Sequence, residues 1–202
     1  MAKERLKSPR VRLFIALDLP ERVRDGLVSW GERELTDPAL RVVPPENLHL
    51  TLAFLGYTAE RDVGRVAEIV HATPAVAPEI AFLPEPLPVP KGRPPRLFAI
   101  DAPSDATVAL QADLERRLVA ERLYKPEKRP FWSHLTVARV RAEKGKPKRY
   151  REVASPPGPL PAALLEPFRG VRLTLYRSIL RREGAEYSPL AQLELPARAA
   201  VR

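Results

Sequence analysis

The chain has 202 residues, of which 45% are apolar and 29% charged, enough to bury a core in one large domain or two small lobes. The formal net charge of +9 favours an anionic partner, although a basic surface without a binding role would give the same charge. The absence of cysteine excludes disulfide scaffolds, thiolate metal sites and cysteine nucleophiles. No stretch approaches the roughly 18 apolar residues of a membrane span. The basic start, MAKERLKSPR, is interpreted as a flexible arm over residues 1–10 and not as a signal peptide, so we expect a cytoplasmic protein.

The first half of the chain predicts a strand, a helix, a second strand and a second helix. Residues 11–18 form an apolar run typical of a buried strand. Pro20 suits a first helical turn, and Val23, Leu27 and Trp30 recur on one helix face. Residues 47–55 predict the second strand, and residues 62–71 predict a helix that ends at His71.

The second half repeats this plan. Ser104 is a candidate N-cap for a helix whose apolar stripe is Leu110, Leu114 and Leu118. Strands are predicted at residues 132–140, 171–180 and 188–195. The proline-rich stretches at 74–95 and 156–161 predict loops or edge segments, because proline donates no backbone hydrogen bond.

One pattern occurs twice. The run Arg12-Leu-Phe-Ile-Ala-Leu-Asp18 recurs as Arg96-Leu-Phe-Ala-Ile-Asp101, and each run is followed, at nearly the same distance, by His-Leu-Thr. Two copies are too few for a solenoid, so the repeat predicts two pseudo-symmetric lobes facing each other across a cleft. We expect one bilobal domain over residues 11–195, with repeats at about 11–83 and 95–195, and a tail at 196–202.

The two His-Leu-Thr motifs predict a paired site. In a strand, His49, Thr51 and the small Ala53 point to one face while Leu48, Leu50, Leu52 and Phe54 point to the other. In the second motif, His134, Thr136 and Ala138 likewise share a face. If the lobes face each other, two imidazoles and two hydroxyls converge. Two histidines can act as base and acid on opposite sides of a phosphorus, with the threonine hydroxyls holding the non-bridging oxygens. The pattern therefore indicates metal-free phosphodiester cleavage.

A metal site is the main alternative reading of the same residues. The chain has only three histidines and no H-E-x-x-H motif, so no metal or other cofactor is expected. A metal bound by His49 and His134 with Asp18 or Asp101 stays open at this point. His71 is better explained as a cation at a helix C-terminus.

The combined motifs resemble a known family. The segments Pro44-Pro-Glu-Asn-Leu-His49-Leu-Thr-Leu-Ala-Phe-Leu-Gly56 and Arg129-Pro-Phe-Trp-Ser-His134-Leu-Thr-Val-Ala-Arg139 resemble the bacterial and archaeal RNA 2',3'-cyclic phosphodiesterases, first called 2'-5' RNA ligases, of the two-histidine phosphoesterase superfamily. The resemblance covers about residues 11–195, although Ser133 stands where the family often has proline. It implies a bilobal α+β fold with two antiparallel sheets lining a central cleft and helices outside. It also implies hydrolysis of the 2',3'-cyclic phosphate ends of RNA to 2'-phosphate ends.

Roles for single residues follow from the resemblance. His49 would be the proton donor and His134 the proton acceptor, an assignment that the near symmetry makes easy to reverse. Thr51, Thr136 and Arg139 would contact phosphate. Simple alternation puts Arg139 on the face opposite His134, so it reaches the cleft only if the strand bends or bulges. Trp132 is a candidate for base stacking or, alternatively, for core packing, and Phe14 is expected in the core.

Other functions stay open on the sequence alone. An RNA-binding module without turnover would keep the basic surface, including the basic cluster at residues 144–151. The alternative interpretation of that cluster is a solvated loop and helix face without a binding role. RNA ligation as the main activity, or a small cyclic nucleotide or nucleotide-sugar phosphate as the substrate, would use the same histidines. No P-loop motif is present, which disfavours an ATPase. A monomer is expected, because the two lobes already build one cleft.

Overall fold

The computed structural model describes residues 9–181 and 184–196. The arm predicted for residues 1–10 lies outside this part except for Pro9 and Arg10, and the tail at 196–202 lies outside it except for Pro196. Four helices are described: α1 (Glu21–Glu34), α2 (Val63–His71), α3 (Asp105–Ala120) and α4 (Ala162–Leu165). The longer strands are β1 (Arg10–Asp18), β3 (His49–Ala59), β6 (Leu97–Asp101), β7 (His134–Val140), β11 (Arg172–Arg181) and β12 (Gly184–Glu194). The shorter strands are β2 (Leu40–Val42), β4 (Glu79–Ile80), β5 (Pro86–Val89), β8 (Ala142–Glu143), β9 (Lys146–Tyr150) and β10 (Phe168–Arg169).

The main sheet has eight strands. Its order is β12-β11-β1-β3-β7-β6-β5, with β2 also paired to β7. Every pairing in it is antiparallel, so the predicted α+β class with antiparallel strands is confirmed. The two halves of the sheet meet between β3 and β7 through the pair Leu50 and Leu135. The two predicted sheets are thus joined edge to edge at one point.

The helices cover the core face of this sheet. Leu13, Ile15 and Leu17 alternate along β1 and are fully buried, as a strand with one face in the core requires. They share the core with the apolar faces of α1, α2 and α3, and the stripe predicted for α1 is confirmed: Val23, Leu27 and Trp30 are buried. Within the described residues, no helix is long and apolar enough to cross a membrane.

Two local predictions hold as stated. The Ser104 hydroxyl accepts a hydrogen bond from the Thr107 N–H at 3.1 Å and caps α3, whose Leu114 and Leu118 are buried. The proline-rich segment supplies β5 at the end of the main sheet, where a strand needs fewer backbone donors.

The sequence missed several short elements. β2 is a three-residue strand without a readable period, and the basic cluster at 144–151 forms part of the β8–β9 hairpin, not a loop and helix face. In this hairpin Lys146 and Arg149 both pair with Glu143, at 3.5 and 2.8 Å. The last strand also starts at Gly184, earlier than residue 188, because it continues the hairpin with β11.

Candidate active site

The two histidines stand in the same register on two different strand pairs. His49 on β3 pairs with Asp18, the last residue of β1, and His134 on β7 pairs with Asp101, the last residue of β6. The threonines of both motifs face alanines in the same way: Thr51 pairs with Ala16 and Thr136 pairs with Ala99. Each half of the main sheet therefore presents one imidazole and one hydroxyl on the face opposite the helices.

A β-bulge follows the threonine in each motif. The register shifts between Ile15 and Ala16 on β1, and between Phe98 and Ala99 on β6. In each strand pair, the opposite strand therefore carries one additional residue at this point. In β3, Leu52 and Ala53 are both buried and Phe54 is 39% exposed. The bulge thus reverses the alternation beyond the threonine, as an inserted residue must.

The second motif follows the same pattern. Val137 and Ala138 are buried, and Arg139 is exposed. The simple alternation that placed Phe54 on the core face and Ala53 and Ala138 beside the histidines is wrong, because it assumed a regular strand. The bulge that Arg139 needs to reach the histidine face is present.

The two motifs line one cavity of about 940 Å³. It brings together His49, Thr51, His134, Thr136 and Arg139, which are five of the six residues singled out from the sequence. The other polar side chains of the lining are Arg12, Arg41, Glu46, Asn47, Arg181, Glu186 and Tyr187. The β11–β12 hairpin forms one wall, and the Asn47 side-chain amide donates to the Ala185 carbonyl at 3.2 Å, which ties this wall to the loop before His49.

Aromatic rings surround His49. The Phe14 ring stacks on the imidazole with centroids 5.0 Å apart, the Tyr176 ring lies at 6.0 Å, and the Tyr187 ring meets it edge-on at 5.5 Å. Phe14 is buried as expected, but it lies against the catalytic candidate on the cavity side and not in the core. The His49 ring is thus flanked by aromatic rings from β1, β11 and β12.

Asp18 supports this aromatic group. Its carboxylate accepts hydrogen bonds from the Arg172 Nε at 2.9 Å, the Thr174 hydroxyl at 2.8 Å and the Tyr176 hydroxyl at 2.9 Å. Tyr176 is thereby held against the His49 side of the cavity, and the pKa of its hydroxyl is raised to about 12, first by burial and then by the Asp18 charge.

Burial lowers the pKa of His49 from 6.5 to about 4. The charges of Arg139 and His134 lower it further, while the Asp18 charge and a backbone hydrogen bond at Asn47 act in the opposite direction. His49 is therefore neutral near pH 7 in the free protein. An anion bound in the cavity would raise its pKa, since a negative charge favours the imidazolium.

His134 is held by Trp132. The two rings stack with centroids 4.0 Å apart and an interplanar angle of 13°, and the Trp132 indole N–H donates to Asp101 at 3.0 Å. The Nδ1 of His134 lies 2.8 Å from the Trp132 carbonyl oxygen. A carbonyl oxygen only accepts, so Nδ1 carries the proton and Nε2 keeps its lone pair. Burial lowers the pKa of His134 as well, which favours this neutral form.

This placement does not support the base-stacking role predicted for Trp132. One face of its indole lies against His134, and Trp132 is not part of the cavity lining. Ser133, which stands where the family often has proline, is buried, and its carbonyl accepts from the Ala102 N–H at 3.0 Å. The strand enters the site through an ordinary backbone contact at this position.

The carboxylates nearest the histidines are engaged with other groups. Both oxygens of Asp18 accept hydrogen bonds from β11 side chains, and an oxygen of Asp101 accepts from Trp132. Across residues 9–181 and 184–196, no three His, Asp or Glu side chains come close enough to form a metal-binding group. The arrangement that was left open, a metal held by both histidines and one of these aspartates, therefore has no counterpart in this part of the chain.

The sequence missed two sets of residues at the site. Arg12, Arg41 and Arg181 add positive charge to the cavity. Tyr187 adds an aromatic ring to its lining, and Tyr176 flanks His49 without lining the cavity. The signal for the supporting aspartates was available, because both copies of the repeat end in Asp. His71, at the end of α2, does not line the cavity, and neither does any residue of the basic β8–β9 hairpin whose side chain the structure describes.

Comparisons with known proteins identify the family of the chain. A family model described as LigT like Phosphoesterase matches residues 17–84. A Methanothermobacter thermautotrophicus protein named RNA 2',3'-cyclic phosphodiesterase is 30% identical over 192 residues, covering 92% of this chain and 100% of that protein. A Thermus thermophilus protein of the same name is 33% identical over 138 residues, covering 65% of this chain and 70% of that protein.

Solved structures show the same fold. The crystal structure of TT0787 from Thermus thermophilus superposes with a TM-score of 0.74 and 27% identity, covering 91% of this chain and 97% of that one. Relatives that match across nearly the whole chain, and not only at the first motif, show that the likeness extends over both halves of the sheet. The chain therefore belongs to the LigT-like phosphoesterase family of RNA 2',3'-cyclic phosphodiesterases.

Proposed function

We propose that this protein hydrolyses 2',3'-cyclic phosphate ends of RNA to 2'-phosphate ends, with His49 and His134 as acid and base and without a metal. The observation that carries the proposal is that both His-x-Thr motifs line one cavity, each imidazole in the same register of its own strand pair. The names of the relatives give the reaction class, RNA 2',3'-cyclic phosphodiesterase.

His134 is the proposed base. Its Nδ1–H is bound to the Trp132 carbonyl, so the Nε2 lone pair is available to take a proton from water. The water oxygen attacks phosphorus as its proton moves to Nε2. Stacking on Trp132, itself held by Asp101, fixes the direction of that lone pair.

His49 is the proposed acid. The anionic cyclic phosphate raises its pKa on binding, and the Asp18 charge favours the same protonated form. As the bond between phosphorus and the 3' oxygen breaks, His49 gives its proton to that oxygen. The product carries a 3'-hydroxyl and a 2'-phosphate, and proton exchange with water restores both histidines.

The charge that builds on phosphorus is stabilised by donors around it. Thr51 and Thr136 each offer a hydroxyl on the same face as the histidines, and Arg139 reaches that face through the bulge. The charge of Arg139 lowers the pKa of both histidines. One chain supplies all of these groups, so the mechanism needs no second copy, and we expect a monomer.

The test is turnover of a short RNA ending in 2',3'-cyclic phosphate, measured in EDTA. Wild type, His49→Ala and His134→Ala are compared, with His71→Ala as the matched control because His71 is exposed at the end of α2. Each site variant is expected to lose about 10²- to 10⁴-fold in rate, and the control to keep wild-type activity.

Three outcomes count against this proposal. Activity lost in EDTA and restored by added metal would show a metal-dependent reaction. A 3'-phosphate product would mean that the 2' oxygen leaves. If a folded wild type leaves the RNA unchanged, the remaining candidates are a small cyclic nucleotide substrate, RNA ligation and RNA binding without turnover.

A further inference from the structure

Two arginines lie side by side in the cavity. Arg41 on β2 pairs directly with Arg139 on β7, and both side chains line the cavity. Directly paired residues of antiparallel strands have Cβ atoms about 4.5–5.5 Å apart on the same face, and like charges in that position repel each other. A bound anion would offset this repulsion.

The other arginines of the cavity are already engaged. Arg181 pairs with Glu186 at 3.0 Å. Arg12 donates to the Ser178 hydroxyl at 2.8 Å, and its guanidinium lies 4.5 Å from the centre of the Phe54 ring. Among the described residues, no carboxylate lies within ion-pair distance of Arg41 or Arg139.

The two arginines lie on different strands of the cavity wall. Arg139 is on β7, the strand that also carries His134 and Thr136, and its charge lowers the pKa of both histidines. Arg41 is on the neighbouring strand β2. Allowing for the bulge, the level at which the two arginines pair lies roughly 13 Å beyond His134, at about 3.3 Å per residue. Arg139 therefore belongs to the histidine motif, whereas Arg41 is available for a second anionic group of the same ligand.

Exposed apolar side chains also line this cavity. Val42 is 46% exposed and Leu180 is 61% exposed, and both line the same cavity. Exposed apolar surface in the same cavity as a guanidinium that makes no ion pair among the described residues suits a nucleotide, which offers a flat base and an anionic phosphate together. The cavity thus extends past the groups that the hydrolysis itself uses.

We propose that Arg41 binds the phosphodiester that links the terminal nucleotide to its 5' neighbour, so that the enzyme selects oligonucleotides over cyclic mononucleotides. This inference rests on the proposed function. In an RNA end, the cyclic phosphate and the next phosphodiester stand on opposite sides of one ribose. Arg139 then contacts the cyclic phosphate, and Arg41 contacts the phosphodiester that leads to the 5' neighbour.

The experiment compares a dinucleotide ending in 2',3'-cyclic phosphate with a 2',3'-cyclic mononucleotide. Arg41→Gln is measured beside Arg139→Gln and beside Arg22→Gln, a matched control that removes one exposed charge from α1, outside the cavity. A lost charge-assisted hydrogen bond predicts that Arg41→Gln lowers kcat/KM for the dinucleotide about 10- to 100-fold more than for the mononucleotide. Arg139→Gln should lower both alike, and Arg22→Gln should leave their ratio unchanged.

The slope of log kcat/KM against log salt gives a second readout. For the dinucleotide, Arg41→Gln should reduce this slope by about 1, the signature of one lost phosphate contact. Equal losses on both substrates, or no loss on the dinucleotide, would overturn the inference while leaving the proposed function intact. A wild type that cleaves neither substrate would instead refute the proposed function.

Discussion

The buried His49 makes a quantitative prediction about stability in acid. Its pKa is lowered from 6.5 to about 4 in the folded protein, chiefly by burial, so the unfolded chain binds the proton more tightly than the folded one. The contribution of neutral His49 to the free energy of unfolding is fully present above pH 6.5 and is lost as the pH falls toward 4. The difference between the pKa of His49 in the unfolded and the folded chain corresponds to about 3 kcal/mol of stability. This is an upper value, because His49 keeps part of its surface in water.

The measurement is urea unfolding of wild type and His49→Gln between pH 4 and pH 7.5. The glutamine variant cannot take up a proton, so its free energy of unfolding should fall less in acid than that of wild type. The two curves should diverge between pH 6.5 and 4, with His71→Gln following wild type because His71 is exposed. Parallel curves for wild type and His49→Gln would refute the reasoning. Inorganic phosphate should reduce the divergence if it binds the cavity and raises the pKa of His49.

Two further predictions concern catalysis and packing. The pKa of each site histidine is lowered in the free protein, so both limbs of the pH profile of kcat/KM should lie below pH 6.5. The limbs of the kcat profile should lie at higher pH, because the bound phosphate favours the imidazolium. Coincident profiles of kcat and kcat/KM would contradict this. Gly170→Ala should destabilise the protein by about 1–3 kcal/mol in urea unfolding, since an added Cβ would lie 2.6 Å from the buried Leu17 side chain. The control Gly64→Ala has open space around its added Cβ and should not destabilise the protein. Equal free energies of unfolding for the two variants would contradict the packing argument.

Repetition made much of the site predictable from the sequence. The recurrence of His-Leu-Thr at a matching place after each Arg-Leu-Phe run identified His49 and His134, and the structure brings both into one cavity. The apolar stripes of α1 and α3 were visible because helical periodicity spans several turns. Patterns that recur, or that extend over many residues, are read reliably from one chain.

Features that depend on distant pairing could not be read in this way. The bulges that expose Phe54 and Arg139 arise from the register between two strands, and neither strand carries a local signal for them. Tyr176 and Tyr187 reach His49 from the far end of the chain. Arg41 lies in a three-residue strand, too short to show a period.

The differences between the halves bear on which oxygen leaves. A cleft built from two identical halves could bind the cyclic phosphate in either direction, because the motifs alone do not distinguish the 2' from the 3' oxygen. After the same bulge, one half has Arg139 and the other has Phe54. The equivalent position after the bulge is therefore cationic in one half and aromatic in the other.

The supporting aspartates differ too. Asp18 holds a tyrosine and is itself paired with Arg172, whereas Asp101 holds a tryptophan. In the proposed mechanism, the deeper burial of His49 makes its protonation depend on the bound anion, while His134 keeps a free Nε2 through its bond to Trp132. In the proposed mechanism, the leaving oxygen is thus selected by residues around the motifs, since the motifs themselves are the part that the two halves share.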